Sequence, residues 1–132
     1  MAVLLGATNI NTFKQGKIYK FYHSTNNPIF DEWNIKAKNF YGIYLSPILS
    51  YSRKYGMLTY DVKVKPMRTL IVDGKEFSDN TLSKNNIFNI TKEMFDELRS
   101  KGYDSIAWFR NGKLIEFIVL DTKIIKSKEH HY

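Results

Sequence analysis

Glu116 is a lone carboxylate in the run Leu114-Ile115-Glu116-Phe117-Ile118-Val119-Leu120, whose other members are all apolar. Apolar residues at consecutive positions suit an inner strand covered on both faces. A carboxylate there is costly to bury unless it is paired or lines a cleft. That cost, together with a distinctive chemical group, marks Glu116 as a functional-site candidate. The alternative is an edge strand with Glu116 turned to water. Three further pieces carry reactive or stacking groups: Tyr22-His23-Ser24-Thr25, Gly42-Ile43-Tyr44-Leu45-Ser46, and Tyr55, eleven residues after Tyr44. Each also has an ordinary explanation. In a chain with nine tyrosines, Tyr44 and Tyr55 suit core packing. His23, after a run of strand aromatics, suits a satisfied structural histidine, and Trp33 and Trp108 suit the core better than a ligand platform.

Several chemistries are excluded by absence. The chain has no G-x-G-x-x-G, no Walker A loop and no H-E-x-x-H. Of three histidines, His130 and His131 stand at the C-terminal end, where a frayed tail is expected, so no metal site is expected. No second carboxylate announces itself beside Glu116, which argues against a two-carboxylate glycosidase. The lack of cysteine removes disulfides and thiolate ligands and fits a reducing compartment. A net charge of +7 favours an anionic partner: nucleic acid, a nucleotide or an acidic protein surface. The basic residues are dispersed, however. In Leu58-Thr59-Tyr60-Asp61-Val62-Lys63-Val64-Lys65 the lysines alternate with apolar residues, as on the wet face of a strand, so a solvated face is preferred to a nucleic-acid stripe.

The elements that must position these groups follow from local pattern. With 132 residues, 43% apolar and 25% charged, the chain is read as one domain. Residues 1–16 lack a period and read as an N-terminal arm or irregular lead-in. Residues 18–23 and 42–45 read as strands. Pro28 opens a short helical stretch over 29–33. A second helix is expected from Pro47 towards Tyr55, with Ser46 as its cap and Gly56 closing it. Strands follow over 57–66 and 69–72, then a surface loop over 78–90. A helix capped by Thr91 carries Met94, Phe95 and Leu98 as its apolar stripe and ends at Gly102. Residues 105–109 and 113–120 form a hairpin across Arg110-Asn111-Gly112. The sum is an α+β domain with a mostly antiparallel sheet and a few short helices. No apolar run nears the ~20 residues of a membrane span, and Met1-Ala2-Val3-Leu4-Leu5 has no basic residue before it, so it is a poor signal peptide.

Taken in order, the Tyr22–Thr25 motif, Gly42-Ile43-Tyr44-Leu45-Ser46, the helix-borne Tyr55 and the late-strand Glu116 resemble the ADP-ribosyltransferase fold in its H-Y-E branch, the diphtheria-toxin-like and PARP-like enzymes. That branch opens on a Y-H-G-T-like strand, continues with a G-x-Y-x-S/T strand and a second tyrosine on a helix, and ends with a strand bearing the catalytic Glu. Gly102-Tyr103-Asp104-Ser105-Ile106, followed by a hairpin and Glu116, is similar to the family's C-terminal half. The resemblance covers roughly residues 18 to 125 and implies a split, mostly antiparallel sheet core.

The resemblance also implies NAD as co-substrate and a site made of named residues. Glu116 would accept the ribose 2′-hydroxyl and stabilise an oxocarbenium-like transition state. Tyr44 and Tyr55 would stack on the nicotinamide, and His23 would orient the adenosine ribose. Ser24, Thr25 and Ser46 belong to the same NAD-binding motifs, and Arg53 or Lys54 would draw in the pyrophosphate. Two departures stand out: Ser24 replaces the usual Gly, and Leu114 is neither Glu nor Gln, which argues against the arginine-modifying R-S-E branch. The implied activity is mono-ADP-ribosylation of a macromolecular acceptor, a protein in preference to a nucleic acid. The protein would be a monomeric bacterial toxin or phage effector acting in the cytoplasm of the producing or target cell, without a membrane. An NAD glycohydrolase, a catalytically silent binding or virion protein, and a basic nucleic-acid-binding domain are the alternatives.

Overall fold

In a computed structural model, residues 3–4, 9–26, 36–37, 40–73 and 90–131 are described. In chain order they form β1 (Val3–Leu4), β2 (Ile18–Thr25), β3 (Lys36–Ala37), β4 (Phe40–Tyr41), β5 (Ile43–Leu45), α1 (Leu49–Ser52) and a 3-10 turn (Arg53–Tyr55). These are followed by β6 (Leu58–Val64), β7 (Thr69–Asp73), α2 (Lys92–Ser100), β8 (Ser105–Arg110), β9 (Lys113–Val119), a second 3-10 turn (Thr122–Ile124) and β10 (Ile125–His130). One sheet has the order β1-β2-β6-β10, a second β5-β9-β8-β7, and β3-β4 is a small ribbon. Among the described strands only β1–β2 and β7–β8 pair in parallel. The coarse expectation of an α+β domain with mostly antiparallel sheets and short helices therefore holds.

Strand alternation builds the core between the two sheets. In β2, Tyr19 and Phe21 point inward while Lys20 and Tyr22 do not, and they oppose Val64 and Val62 of β6. From the second sheet Ile43, Leu45, Ala107, Phe109, Leu114, Phe117 and Val119 close this layer. The other face of the second sheet carries Tyr44, Val72, Ile106, Trp108 and Ile118, with Met94, Phe95 and Leu98 of α2 packed over it. The apolar stripe of α2 and its Thr91 cap, whose Oγ accepts from the Met94 N–H at 3.2 Å, thus serve to cover that face. As a result β9, an inner strand, is buried on both sides, as its unbroken apolar run requires. The β8–β9 turn has Asn111 at φ 52 and Gly112 at φ 79, the left-handed pair that a tight hairpin needs.

Among the described residues the two sheets are joined through their backbones where β2 meets the end of β5. Tyr22 of β2 and Ser46, just past β5, exchange N–H to carbonyl hydrogen bonds of 2.7 and 2.9 Å. The chain enters β5 through Gly42, whose φ of +103 is left-handed and whose added Cβ would lie 2.6 Å from Ile118 Cγ2. Only glycine serves there.

Several expectations are corrected. Within the lead-in, Val3–Leu4 pairs with β2, and Phe13 stacks on Tyr19 at 5.0 Å and meets Phe109 and Phe117, so these described residues are docked on the domain. The helix expected from Pro47 to Tyr55 is a single α turn followed by a 3-10 turn. Ser46 does not cap it in the expected way; its Oγ accepts from the Ile48 N–H, two residues on. Nor is the C-terminal segment a frayed tail. β10 pairs with β6, the His130 ring lies 4.6 Å from that of Tyr60, and His131 Nδ1 meets Asp61 Oδ1 at 2.9 Å. The helix expected over 29–33 and nearly all of the loop over 78–90 lie outside the described residues. Among those described, no helix is long and apolar enough to cross a membrane.

Candidate functional site

A β-bulge aims Glu116. Trp108 pairs with Glu116, but the next residue, Phe109, pairs with Leu114, so Ile115 is an extra residue in β9. Strand parity alone would turn Leu114 and Glu116 to the same face. With the bulge, Leu114 enters the core between the sheets, and Glu116 stands with its partner Trp108 on the opposite face, where Tyr44 and Ile118 are also paired. Leu114 therefore cannot do the work of a second polar residue beside Glu116.

The Glu116 carboxylate is fully buried. Its Oε2 accepts from the Tyr55 hydroxyl at 2.9 Å, whereas Oε1 is buried without a hydrogen-bond partner among the described residues. An orphaned buried acceptor costs on the order of 1–3 kcal/mol, more when charged. Burial pushes the Glu116 pKa up to about 8, with the Tyr55 hydrogen bond pulling the other way. At neutral pH the group is therefore mostly a neutral acid.

Three tyrosines surround it. Tyr44 comes from β5, beside β9; Tyr55 ends the 3-10 turn and is 41% exposed, so it can move. Their ring centres are 6.4 Å apart at 48°. Tyr51, one helical turn before Tyr55, meets its ring edge-on at 6.4 Å. Burial raises the pKa of all three phenols, Tyr51 to about 12, and the Glu116 charge adds to each rise. The Tyr44 hydroxyl accepts from the Ile90 N–H at 3.3 Å.

His23 reaches the same place from the other sheet. Its Nδ1 lies 2.8 Å from the Tyr44 carbonyl oxygen, which can only accept, so Nδ1 carries the proton and Nε2 is an acceptor in the neutral ring. Burial lowers its pKa, with the hydrogen bond to Tyr44 opposing, which favours that neutral ring.

The structure thus brings Glu116, Tyr44, Tyr55 and His23 together, but the hydroxyls of Ser24 and Ser46 are used elsewhere. Ser24 Oγ is buried against Ser52 Oγ and Thr59 Oγ, both at 2.9 Å, and so fastens α1 to the first sheet. Ser46 Oγ donates to the Ile115 carbonyl at 2.8 Å, which braces the bulge. Thr25 ends β2, where its backbone is so close to Gly56 that an added Cβ would sit 2.2 Å from it. Arg53 and Lys54 are exposed on the 3-10 turn, and the Lys54 ammonium lies 4.8 Å from the centre of the Tyr51 ring.

Three neighbours escaped the sequence reading: Tyr51, Trp108 as a wall of this site, and Arg110, whose guanidinium stacks 5.1 Å from the Trp108 ring centre. The helical spacing of Tyr51 and Tyr55 was a usable signal. The Trp108–Glu116 pairing was not, because it depends on the bulge. Among the described residues no cluster of His, Asp or Glu could hold a metal ion. Comparison with protein-family models, curated proteins and solved structures found no match to this chain.

Proposed function

We propose that this protein is a mono-ADP-ribosyltransferase that cleaves NAD at the nicotinamide–ribose bond and passes ADP-ribose to a macromolecular acceptor. The observation that carries this reading is the fully buried Glu116, one oxygen without a partner among the described residues, set beside the paired rings of Tyr44 and Tyr55. In the reaction the C–N bond breaks, its electron pair leaves with nicotinamide, and positive charge builds on the ribose. The acceptor then bonds to that carbon and gives up its proton. An ionised Glu116 accepts a hydrogen bond from the 2′-hydroxyl and stabilises the charge, in surroundings where water does not weaken the effect. The cationic nicotinamide ring of NAD favours loss of the Glu116 proton as it binds.

The tyrosine pair is closed as it stands. A ring held between two others needs two stacking gaps of roughly 3.5 Å each along parallel planes, and the 6.4 Å, 48° arrangement of Tyr44 and Tyr55 does not provide them. Tyr55 must swing outward on its exposed turn, and the same movement releases Glu116 Oε2. His23, fixed by the Tyr44 carbonyl, orients the distal ribose rather than moving protons. With the Ser24 hydroxyl tied to Ser52 and Thr59, that position can offer only its backbone, as a glycine would.

The test is incubation with labelled NAD and bacterial lysate, comparing wild type with Glu116→Gln. Label is expected on a macromolecule and should fall by about 100-fold or more in the variant. Near-wild-type turnover in a folded Glu116→Gln protein would sink the assignment. Free ADP-ribose without labelled acceptor would make the protein an NAD glycohydrolase instead.

A further inference from the structure

Stacking of nicotinamide uses Tyr44 and Tyr55; Tyr51, beside them, hydrogen-bonds the Tyr55 side chain through its hydroxyl and turns a ring face to Lys54. Its setting is specific. The Lys54 ammonium lies over its ring, and Arg110 is close enough for its charge to act on the Tyr51 hydroxyl. Arg110 in turn stacks on Trp108, the cross-strand partner of Glu116. Beside the carboxylate site the Lys54 ammonium thus lies over the half-buried Tyr51 ring, Tyr55 meets that ring edge-on, and Arg110 is seated on the buried Trp108. Lys54, Tyr55 and Arg110 are exposed. A stacking ring flanked by cations suits single-stranded nucleic acid: a base takes the ring face, the adjoining phosphates meet the cations, and neither contact needs a particular sequence. An acidic peptide would use the cations but leave the rings idle. The net charge of +7 acts in the same direction at long range.

We propose that the lip formed by Lys54, Tyr51 and Arg110, the last seated on the buried Trp108, binds single-stranded nucleic acid and presents it to Glu116 as the acceptor. This rests on the transferase reading for the word acceptor, but not for the binding. A base stacks by taking the Tyr51 ring face from the Lys54 ammonium, which is then at hand for the adjoining phosphate. Arg110 holds a second phosphate from its place on Trp108.

The probe is a fluorescein-labelled single-stranded oligonucleotide of about 16 nucleotides, read by anisotropy without NAD as salt rises from about 50 to about 200 mM. Wild type should bind and weaken by on the order of tenfold across that range. Lys54→Gln/Arg110→Gln, two exposed positions, should weaken binding about tenfold at low salt and flatten the salt slope by roughly one unit. Tyr51→Leu, which keeps bulk but removes the stacking face, should weaken binding at least fivefold or so with the slope unchanged. Lys63→Gln/Lys126→Gln removes the same charge from the far end of β6 and from β10 and should bind almost as wild type. Equal losses in the two double variants would reduce the effect to net charge and overturn the proposal. So would absence of binding by wild type at low salt. Adding labelled NAD separates the two ideas. Oligonucleotide that binds through the lip but takes no label, with no turnover by the wild type, would remove the transferase reading and leave the binding surface. Label on protein, with the oligonucleotide neither labelled nor competing, would leave the transferase and remove the lip as an acceptor site.

Discussion

Glu116 links the chemistry of the site to the stability of the fold. Its carboxyl ionises near 4.5 when unperturbed and at about 8 in the folded protein, because burial disfavours the charged form. A raised pKa means that the folded state holds the extra proton between those two values. The stabilisation is complete below the lower value, falls by about 1.4 kcal/mol per pH unit between them, and is lost above the higher one. His23 runs the opposite way: its lowered pKa contributes stability above its ordinary value of 6.5 and loses it as pH falls. Comparison with Glu116→Gln isolates the carboxyl, since His23 is common to both proteins. Urea unfolding between about pH 5 and about 8 should show the wild type losing stability relative to the variant at close to that slope. A difference that stays constant with pH would mean that Glu116 is already ionised at its ordinary value. Activity should run against stability, with kcat/KM for NAD rising towards about pH 8 as the free site ionises.

The elements matter through two backbone devices, the Gly42 lead-in to β5 and the bulge at Ile115. Gly42→Ala puts a Cβ 2.6 Å from Ile118 Cγ2 at a φ of +103. Either β5 moves off β9 or the strain stays. We expect a loss of about 2 kcal/mol or more in urea unfolding, with NAD turnover reduced because Tyr44 sits two residues along. An unfolding midpoint within error of wild type would show that β5 does not need this approach. These devices also mark how far the sequence could be read. β2, β5, the Thr91-capped α2 and the Asn111-Gly112 hairpin were legible because their signals are local: alternation, a cap and a left-handed turn. β10 was missed because an edge strand such as Ile125-Lys126-Ser127-Lys128-Glu129-His130 has no continuous apolar face. The bulge was invisible because register belongs to a pair of strands, not to one. Glu116, Tyr44, Tyr55 and His23 could be picked out by type and order, whereas Tyr51 and Arg110 join them only through tertiary proximity. The hydroxyls of Ser24 and Ser46, by contrast, hold elements together, a task that nothing local in the sequence marks.

At the scale of the whole molecule, the site spans both sheets and the turn between them. Glu116 and Tyr44 come from one sheet, His23 from the other, and Tyr55 from the connection. The backbone exchange between Tyr22 and Ser46 keeps the sheets in register there, and Ser46 Oγ ties that junction to the Ile115 carbonyl and the Ile48 N–H. Ser46→Ala leaves both groups without their partner and should cost about 1–3 kcal/mol by chemical denaturation. It should also lower NAD turnover even at temperatures where the variant is folded, because the bulge loses its brace. Unchanged stability and turnover would show the junction to be held by backbone alone. The hydroxyl of Tyr55 already rests on Glu116 Oε2, so an alcohol that takes that oxygen replaces a bond instead of adding one, a nearly even exchange. A hydroxyl adds a bond only at Oε1, which has no hydrogen-bond partner among the described residues. A free sugar therefore gains one new bond from this carboxylate, and any further affinity has to come from rings that stack in the opened cleft.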